Sequence, residues 1–219
     1  HYINESSRIS ALNSYGVLNS KKDEFLNSIV FLLSSACKVP IAYISLLDGD
    51  RQYFKAKIGM SLTETNRDVS FCKYAIKQNG IYEIEDALKD PLFASNPMVT
   101  GKPGVRFYAG IPLKDFAGFN IGTLCIIDTV PRKLNDFQKK FLHTLAQSAI
   151  DYIVLKKSRK TLKEISNELQ EIELNVEDSG VSLFKNNIIT QLLDFVRSLI
   201  ESFFHYAKCS FFLIKSIFL

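Results

Sequence analysis

Histidine and cysteine are scarce in this chain and unpatterned. Its 219 residues hold three histidines and four cysteines. There is no H-E-x-x-H pair and no Walker-type glycine loop, so the sequence carries neither of those signatures of zinc-hydrolase and P-loop chemistry. His1, His143 and His205 stand far apart, and His143 reads as a structural or solvated residue of a helix. His205 is followed by Tyr206 and Ala207 rather than by an acidic residue, which excludes a kinase phosphoacceptor. Cys37, Cys72, Cys125 and Cys209 form no C-x-x-C and no secreted-type spacing, so they read as reduced thiols of a cytoplasmic protein. Strong charge is missing too. A net charge of +4, without a basic cluster interleaved with aromatics, gives no case for nucleic acid. The run Lys156, Lys157, Arg159, Lys160 and Lys163 reads as the solvated face of a helix. The first residues show no signal-peptide pattern, and the opening His1-Tyr2 without Met leads us to expect an excised fragment. The apolar tail Phe203–Leu219 is 17 residues with Lys208 and Lys215 inside it, shorter than the ~20 of a membrane span. Lysines near span ends can snorkel, so a membrane contact of the tail stays open.

What is present is an ordinary globular composition, 47% hydrophobic and 23% charged. Its clearest pattern lies between Gly104 and Asp128. Val105, Phe107, Ala109, Ile111 and Leu113 alternate with Arg106, Tyr108, Gly110 and Pro112. Ile121, Thr123, Cys125 and Ile127 alternate with Gly122, Leu124, Ile126 and Asp128. Period two predicts a pair of half-buried strands, with Asp115 and Gly118 suiting the turn between them. Gly110 and Gly122 leave gaps on the sheet, which predicts a bulge, a close approach, or a concave face able to hold a small molecule. Easing of sheet twist is the alternative.

Further blocks precede this pair. They are a hydrophobic strand ending at Asp48, Arg51-Gln52-x-Phe54-Lys55, Arg67-x-x-Ser70-Phe71-Cys72, and Asp86-Ala87-x-x-Asp90-x-x-Phe93-x-x-Asn96-Pro97. With Arg106-Phe107-Tyr108-Ala109-Gly110 and Gly122-Thr123-Leu124-Cys125-x-x-Asp128 they stand in one order from about Ser7 to Tyr152. This series resembles the GAF domain of the bacterial signalling type, found ahead of histidine kinase and diguanylate cyclase modules. The resemblance implies an α+β fold with a central antiparallel sheet flanked by helices. It also implies a sensor or regulatory role. It does not name a ligand or cofactor. Bilin-binding relatives use a Cys-His pair, but Cys72 is followed by Lys73 and Tyr74, which weighs against a tetrapyrrole.

The remaining elements follow from local signals. A short helix is expected over Ser7–Tyr15 and another from the Asp23 cap to Cys37, where Phe25, Ile29, Leu32 and Leu33 recur at helical spacing. Strands are expected over Ile41–Leu47 and Gln52–Lys57 around an Asp48-Gly49-Asp50 turn. Ser70 predicts a helix to Gln78, Ile81–Glu85 a strand, and Asp86–Thr100 a loop with helical turns. From Asn135 a long exit helix begins, ending near Asp178-Ser179-Gly180. Leu142, Leu145, Ala149 and Tyr152 keep one heptad register, and Leu162, Ile165, Leu169, Ile172 and Val176 another. We therefore expect a sensor domain at 1–155, a coiled-coil exit helix at 156–180 making a homodimer, and an apolar helical tail at 181–219, with a helix over Ile188–Phe203.

The expected ligand pocket lies over the strand pair with the 86–100 segment as lid. Phe71, Cys72, Phe93, Arg106, Tyr108 and Cys125 are its candidate lining. Arg106 offers a fork-like donor to an anionic ligand; alternatively Arg67 or Arg106 pairs with Asp86 or Asp128 to pin loops. Cys72, inside a helix N-terminus, and Cys125 read either as a redox switch or ligand contact, or as small buried hydrophobes. With no catalytic constellation in view, the expectation is a chain that is not an enzyme. It would bind a small molecule or a partner and relay the change through the coil. The rivals are a pure dimerisation module with a filled pocket and a thiol-based enzyme acting on a small oxidised metabolite.

Overall fold

In the computed structural model of the chain, residues 4–178 are described, together with 191, 192, 194–196, 198, 199 and 202. They fall into two compact units, His1–Asp151 and Tyr152–Leu219.

The first unit is built on a six-stranded sheet. Its strands are β1 (Ile41–Leu47), β2 (Arg51–Ile58), β3 (Glu64–Asn66), β4 (Tyr82–Ile84), β5 (Phe107–Lys114) and β6 (Asn120–Asp128). The order is β3-β2-β1-β6-β5-β4, and every neighbouring pair is antiparallel. The two central strands, β1 and β6, are buried at every position, as strands covered on both faces must be. Register pins the site to come: Tyr43 lies opposite Cys125, and Gly110 opposite Cys125 on the other side. A bulge between Ile44 and Ser45 shifts β1 against β2.

Helices cover the sheet. α1 (Glu5–Ser14) starts at an Asn4 cap whose side chain accepts from the Ser6 amide. α2 (Glu24–Cys37) starts at Asp23, whose carboxylate accepts from the Leu26 amide, and stops at Lys38 in the left-handed region. Leu26, Ile29, Val30, Leu33 and Cys37 turn inward at three- and four-residue spacing, so α2 packs on β1 and β2. On the other face sit α3 (Cys72–Ala75), the loop from Asp86 and α4 (Pro97–Thr100). There Phe71, Phe93, Val99, Val105 and Tyr108 make one core with Tyr43, Phe54, Cys125 and Ile127. Each large side chain among them contributes about 2–3 kcal/mol of apolar burial.

One expectation needs correction and one element is new. The helix from Ser70 to Gln78 shrinks to the four residues of α3, because the segment returns at once into β4. β3 was not foreseen; its Glu-Thr-Asn sequence has no apolar alternation, and it is held only by pairing with β2.

α5 (Asp136–Asp178) is a single helix of 43 residues. In the first unit Leu142, Leu145 and Ala149 are buried. In the second, Ile165 and Ile172 are 41% and 50% exposed. Nearly all of the expected Ile188–Phe203 helix and the whole tail beyond it lie outside the described residues. Among the described residues no helix is long and apolar enough to cross a membrane.

Candidate functional site

Of the expected pocket lining, Phe71, Cys72, Phe93, Tyr108 and Cys125 come together, each 1% exposed or less. Phe71 and Phe93 stack at 4.4 Å between centroids, and Phe71 stacks on Tyr108 at 5.1 Å. Tyr74, Tyr82, Met60 and Met98 pack at the rim, half-buried. The segment expected as a lid does close over this face. Asn96 Nδ2 donates to the Val69 carbonyl at 2.8 Å, tying it to the chain entering α3.

Arg106 is not part of this lining. Its guanidinium donates to the carbonyls of Val99 and Val105 at 3.0 Å, and its amide to the Asp128 carbonyl at 2.9 Å. It fastens the lid to the sheet instead of offering a fork to a ligand. Nor do the arginines take the expected acidic partners. Arg67 pairs with Glu5, while Asp128 holds Arg132 and Asp86 holds Lys89.

The gaps at the two glycines are filled. A Cβ on Gly110 would lie 2.2 Å from Tyr108 Oη and 3.0 Å from Cys125 Sγ. One on Gly122 would lie 2.3 Å from the Ser45 carbonyl oxygen. Close approach, not an open concavity, explains both. In this closed state a ligand reaches the face only by moving the aromatic rim.

At the centre are two sulfurs. Cys72 is brought by α3 and Cys125 by β6, and their Sγ atoms are 3.5 Å apart. Gln52 Nε2 donates to Cys72 Sγ at 3.2 Å and Tyr108 Oη at 3.3 Å, with Tyr43 Oη at 3.6 Å. Tyr108 Oη also lies 3.2 Å from Cys125 Sγ. Cys125 donates to Thr123 Oγ1 at 3.1 Å, and Thr123 bonds Ser45 at 2.8 Å. Burial opposes ionisation of Cys72, but hydrogen bonds from Cys125, Ser45, Thr123 and Tyr108 outweigh it and bring the thiol down to about 6. Cys125 moves the other way, well above its ordinary value, through burial and the neighbouring Cys72. Burial and the two sulfurs also hold Tyr43 and Tyr108 protonated. Tyr43, Ser45, Gln52 and Thr123 escaped the sequence reading. The alternation of β1 and β6 places Tyr43 and Thr123 on the same face as Cys125, so period two carried that signal. Gln52 was visible only as a polar residue inside a hydrophobic block.

A second feature lies between the early part of α5 and β5. It is a cleft of about 190 Å³ lined by Gln78, Lys114, Asn120, His143, Gln147 and apolar neighbours. Among the described residues no cluster of His, Cys, Asp or Glu could hold a metal ion.

Residues 22–150 match the family described as the GAF domain. The chain belongs to the GAF family. It is 45% identical over 128 residues to a cyclic di-GMP phosphodiesterase of Pseudomonas aeruginosa; the match covers 58% of this chain and 22% of that protein, so the chain spans about a fifth of its relative. The GAF domain of a phosphoenolpyruvate-protein phosphotransferase from Coxiella burnetii superposes with a TM-score of 0.54 at 15% identity, over 72% of this chain and 99% of that one. A free methionine-R-sulfoxide reductase from Neisseria meningitidis, in complex with its substrate, gives 0.51 at 17% identity, over 74% of this chain and 96% of that one. These structural likenesses concern the fold alone.

The expectation that the chain is not an enzyme is corrected by this kinship. The Pseudomonas relative is named for a phosphodiesterase activity, and the reductase shares the GAF fold. That name belongs to a protein of which the match covers 22%.

Proposed function

We propose that this chain is the sensory GAF domain of a signalling enzyme of the cyclic di-GMP phosphodiesterase kind. It would bind a small molecule under the lid and pass the change to the catalytic part through α5. The observation that carries the reading is the path from lid to helix. Phe93 of the lid stacks on Phe71, which stacks on Tyr108, whose hydroxyl meets Cys125 of β6. β6 ends at Asp128, whose carboxylate holds Arg132 at 2.5 Å four residues before α5. A ligand that lifts the lid therefore pulls on the strand that feeds the exit helix. The domain would comprise residues 1–155, and 156–180 would pair two chains in parallel, with the described thiols kept reduced in the cytoplasm.

The test is a chimera in which this chain's residues 1–178 replace the matched segment of the Pseudomonas relative and the equivalent length beyond it. Hydrolysis of cyclic di-GMP should persist, and Phe93→Ala, which loosens the lid, should change the rate at unchanged protein stability of the catalytic part. An unchanged rate in that variant would overturn the relay. A filled, non-sensing dimerisation module is favoured by one observation, the close packing at Gly110. It predicts no small molecule retained in native mass spectrometry and no response to Phe93→Ala.

A further inference from the structure

Cys72 and Cys125 lie where the relay passes, yet relay by packing needs no sulfur there. The ordinary fate of a buried cysteine is to act as a small hydrophobe. Cys72 is surrounded differently. Gln52, Tyr43 and Tyr108, exposed by 3% or less, converge on its sulfur from β2, β1 and β5. A neutral thiol is a weak acceptor, and burying three polar groups against it is unfavourable; an ionised sulfur is a strong one. The partner thiol, 3.5 Å away, donates to Thr123 and keeps its proton. A disulfide needs the sulfurs at ~2 Å, a closure of roughly 1.5 Å. The cysteine that must move sits on a helix of a single turn, Cys72–Ala75. Cys37 is the contrast: buried as well, with burial raising its thiol to about 11.

We propose that Cys72 and Cys125 form a hydroperoxide-oxidisable dithiol whose closure to a disulfide resets the packing of the lid. The Cys72 thiolate attacks one oxygen of the peroxide; an S–O bond forms, the O–O bond breaks, and hydroxide leaves with the thiol's proton as water. Cys125 sulfur then attacks the Cys72 sulfenic acid; the S–S bond forms, the S–O bond breaks, and the departing hydroxide takes the Cys125 proton. Two electrons pass from the two thiols to the peroxide, giving one disulfide and two waters. A dithiol reductant reverses the change. The disulfide removes the charged acceptor of Tyr108, whose ring stacks on Phe71 beneath Phe93. Oxidation therefore loosens the 86–100 segment. The sulfurs are sealed, so peroxide enters when α3 lifts. The inference is independent of the output that α5 serves.

The test treats the full chain, in native buffer, with hydrogen peroxide and maps the thiols by mass spectrometry. The expected result is loss of two hydrogen masses, found in joined peptides holding Cys72 and Cys125, reversed by dithiothreitol, with Cys37 still a thiol. In Cys125→Ser a dimedone adduct should form on Cys72; in Cys72→Ser none should form on Cys125. Tyr108→Phe keeps the ring and removes one donor to the charged sulfur, so disulfide formation should slow by about tenfold. Oxidation of Cys37 before the pair, linkage of Cys72 to Cys125 only in denaturant, or an unchanged rate in Tyr108→Phe would each overturn the proposal.

Discussion

Single atoms decide the shape of this core. Gly110 has room for nothing, because the Tyr108 hydroxyl and the Cys125 sulfur occupy the space its Cβ would take. Gly110→Ala should cost about 1–3 kcal/mol, since the phenol that must move is itself buried and hydrogen-bonded. Urea unfolding of the two proteins measures it; an unchanged midpoint would mean the phenol swings aside freely. Charge acts at the edge of the same domain. Glu5 lies between Arg8 and Arg67 at 2.8 and 2.7 Å. Burial opposes its ionisation, but hydrogen bonds and charge from the two arginines prevail and bring it from 4.5 to about 2. A carboxyl depressed on folding adds stability that is fully present above pH 4.5 and lost as pH falls through about 2. Glu5→Gln should therefore lower the melting temperature at pH 7 and lower it progressively less as pH falls below 4.5. Because Glu5 is half-exposed, salt should shrink the difference as well. A gap between the two proteins that stays constant across this range would show that Glu5 acts through packing rather than charge.

Elements differ in how much of themselves they advertise. α2 was legible from Asp23 and its apolar spacing, and Asp23→Ala should cost about 1 kcal/mol through loss of the cap on the Leu26 amide. Circular dichroism during thermal melting checks this. β5 and β6 were legible as strands from their apolar runs around the Asp115–Gly118 turn, but not as half-buried ones: β6 is buried at every position and β5 at all but Pro112 and Lys114, because both faces are covered. α3 was misjudged in length, since Ser70 is a good cap but nothing local says that the chain must turn back into β4 within a few residues. β3 carries three polar residues and exists only by tertiary pairing, so no local pattern could reveal it. Within the site, five of the six candidate residues share one core because the blocks that carry them pack on one face. Arg106 sits inside the same block as Tyr108 but ahead of the strand, where alternation no longer fixes the direction of a side chain. The lid is the element whose packing is testable on its own. Phe93→Ala removes a ring stacked on Phe71 and edge-on to Tyr74, and should cost about 3–5 kcal/mol. Protease should then cut within 86–100 before the rest of the domain. Uniform cleavage would show that lid and sheet unfold as one body.

At the scale of the molecule the unanswered surface is the stripe on α5. Leu162, Ile165, Leu169 and Ile172 recur at three and four residues, and Ile165 and Ile172 are largely exposed in the single chain. An isolated helix of such a sequence gains little from its own hydrogen bonds, and apolar stripes of this kind are stable when covered. Pairing two helices in parallel covers both stripes with the a/d spacing they already have. The pattern changes register between Tyr152 and Leu162, yet α5 runs unbroken from Asp136 to Asp178. A coil that begins after such a break can rotate relative to the turns before it, which would turn a pull at Asp128 into a change of which residues face inward. The full chain should therefore sediment as a dimer, and the chain cut after Lys157 as a monomer. Leu169→Lys in the full chain should weaken association by at least about tenfold, since a charge then replaces an apolar contact in the seam. Circular dichroism of Leu169→Lys keeps the outcome readable by showing whether the helix itself survives. A full chain that sediments as a monomer, or a dimer indifferent to both changes, would place the stripe against something other than a second copy of this chain.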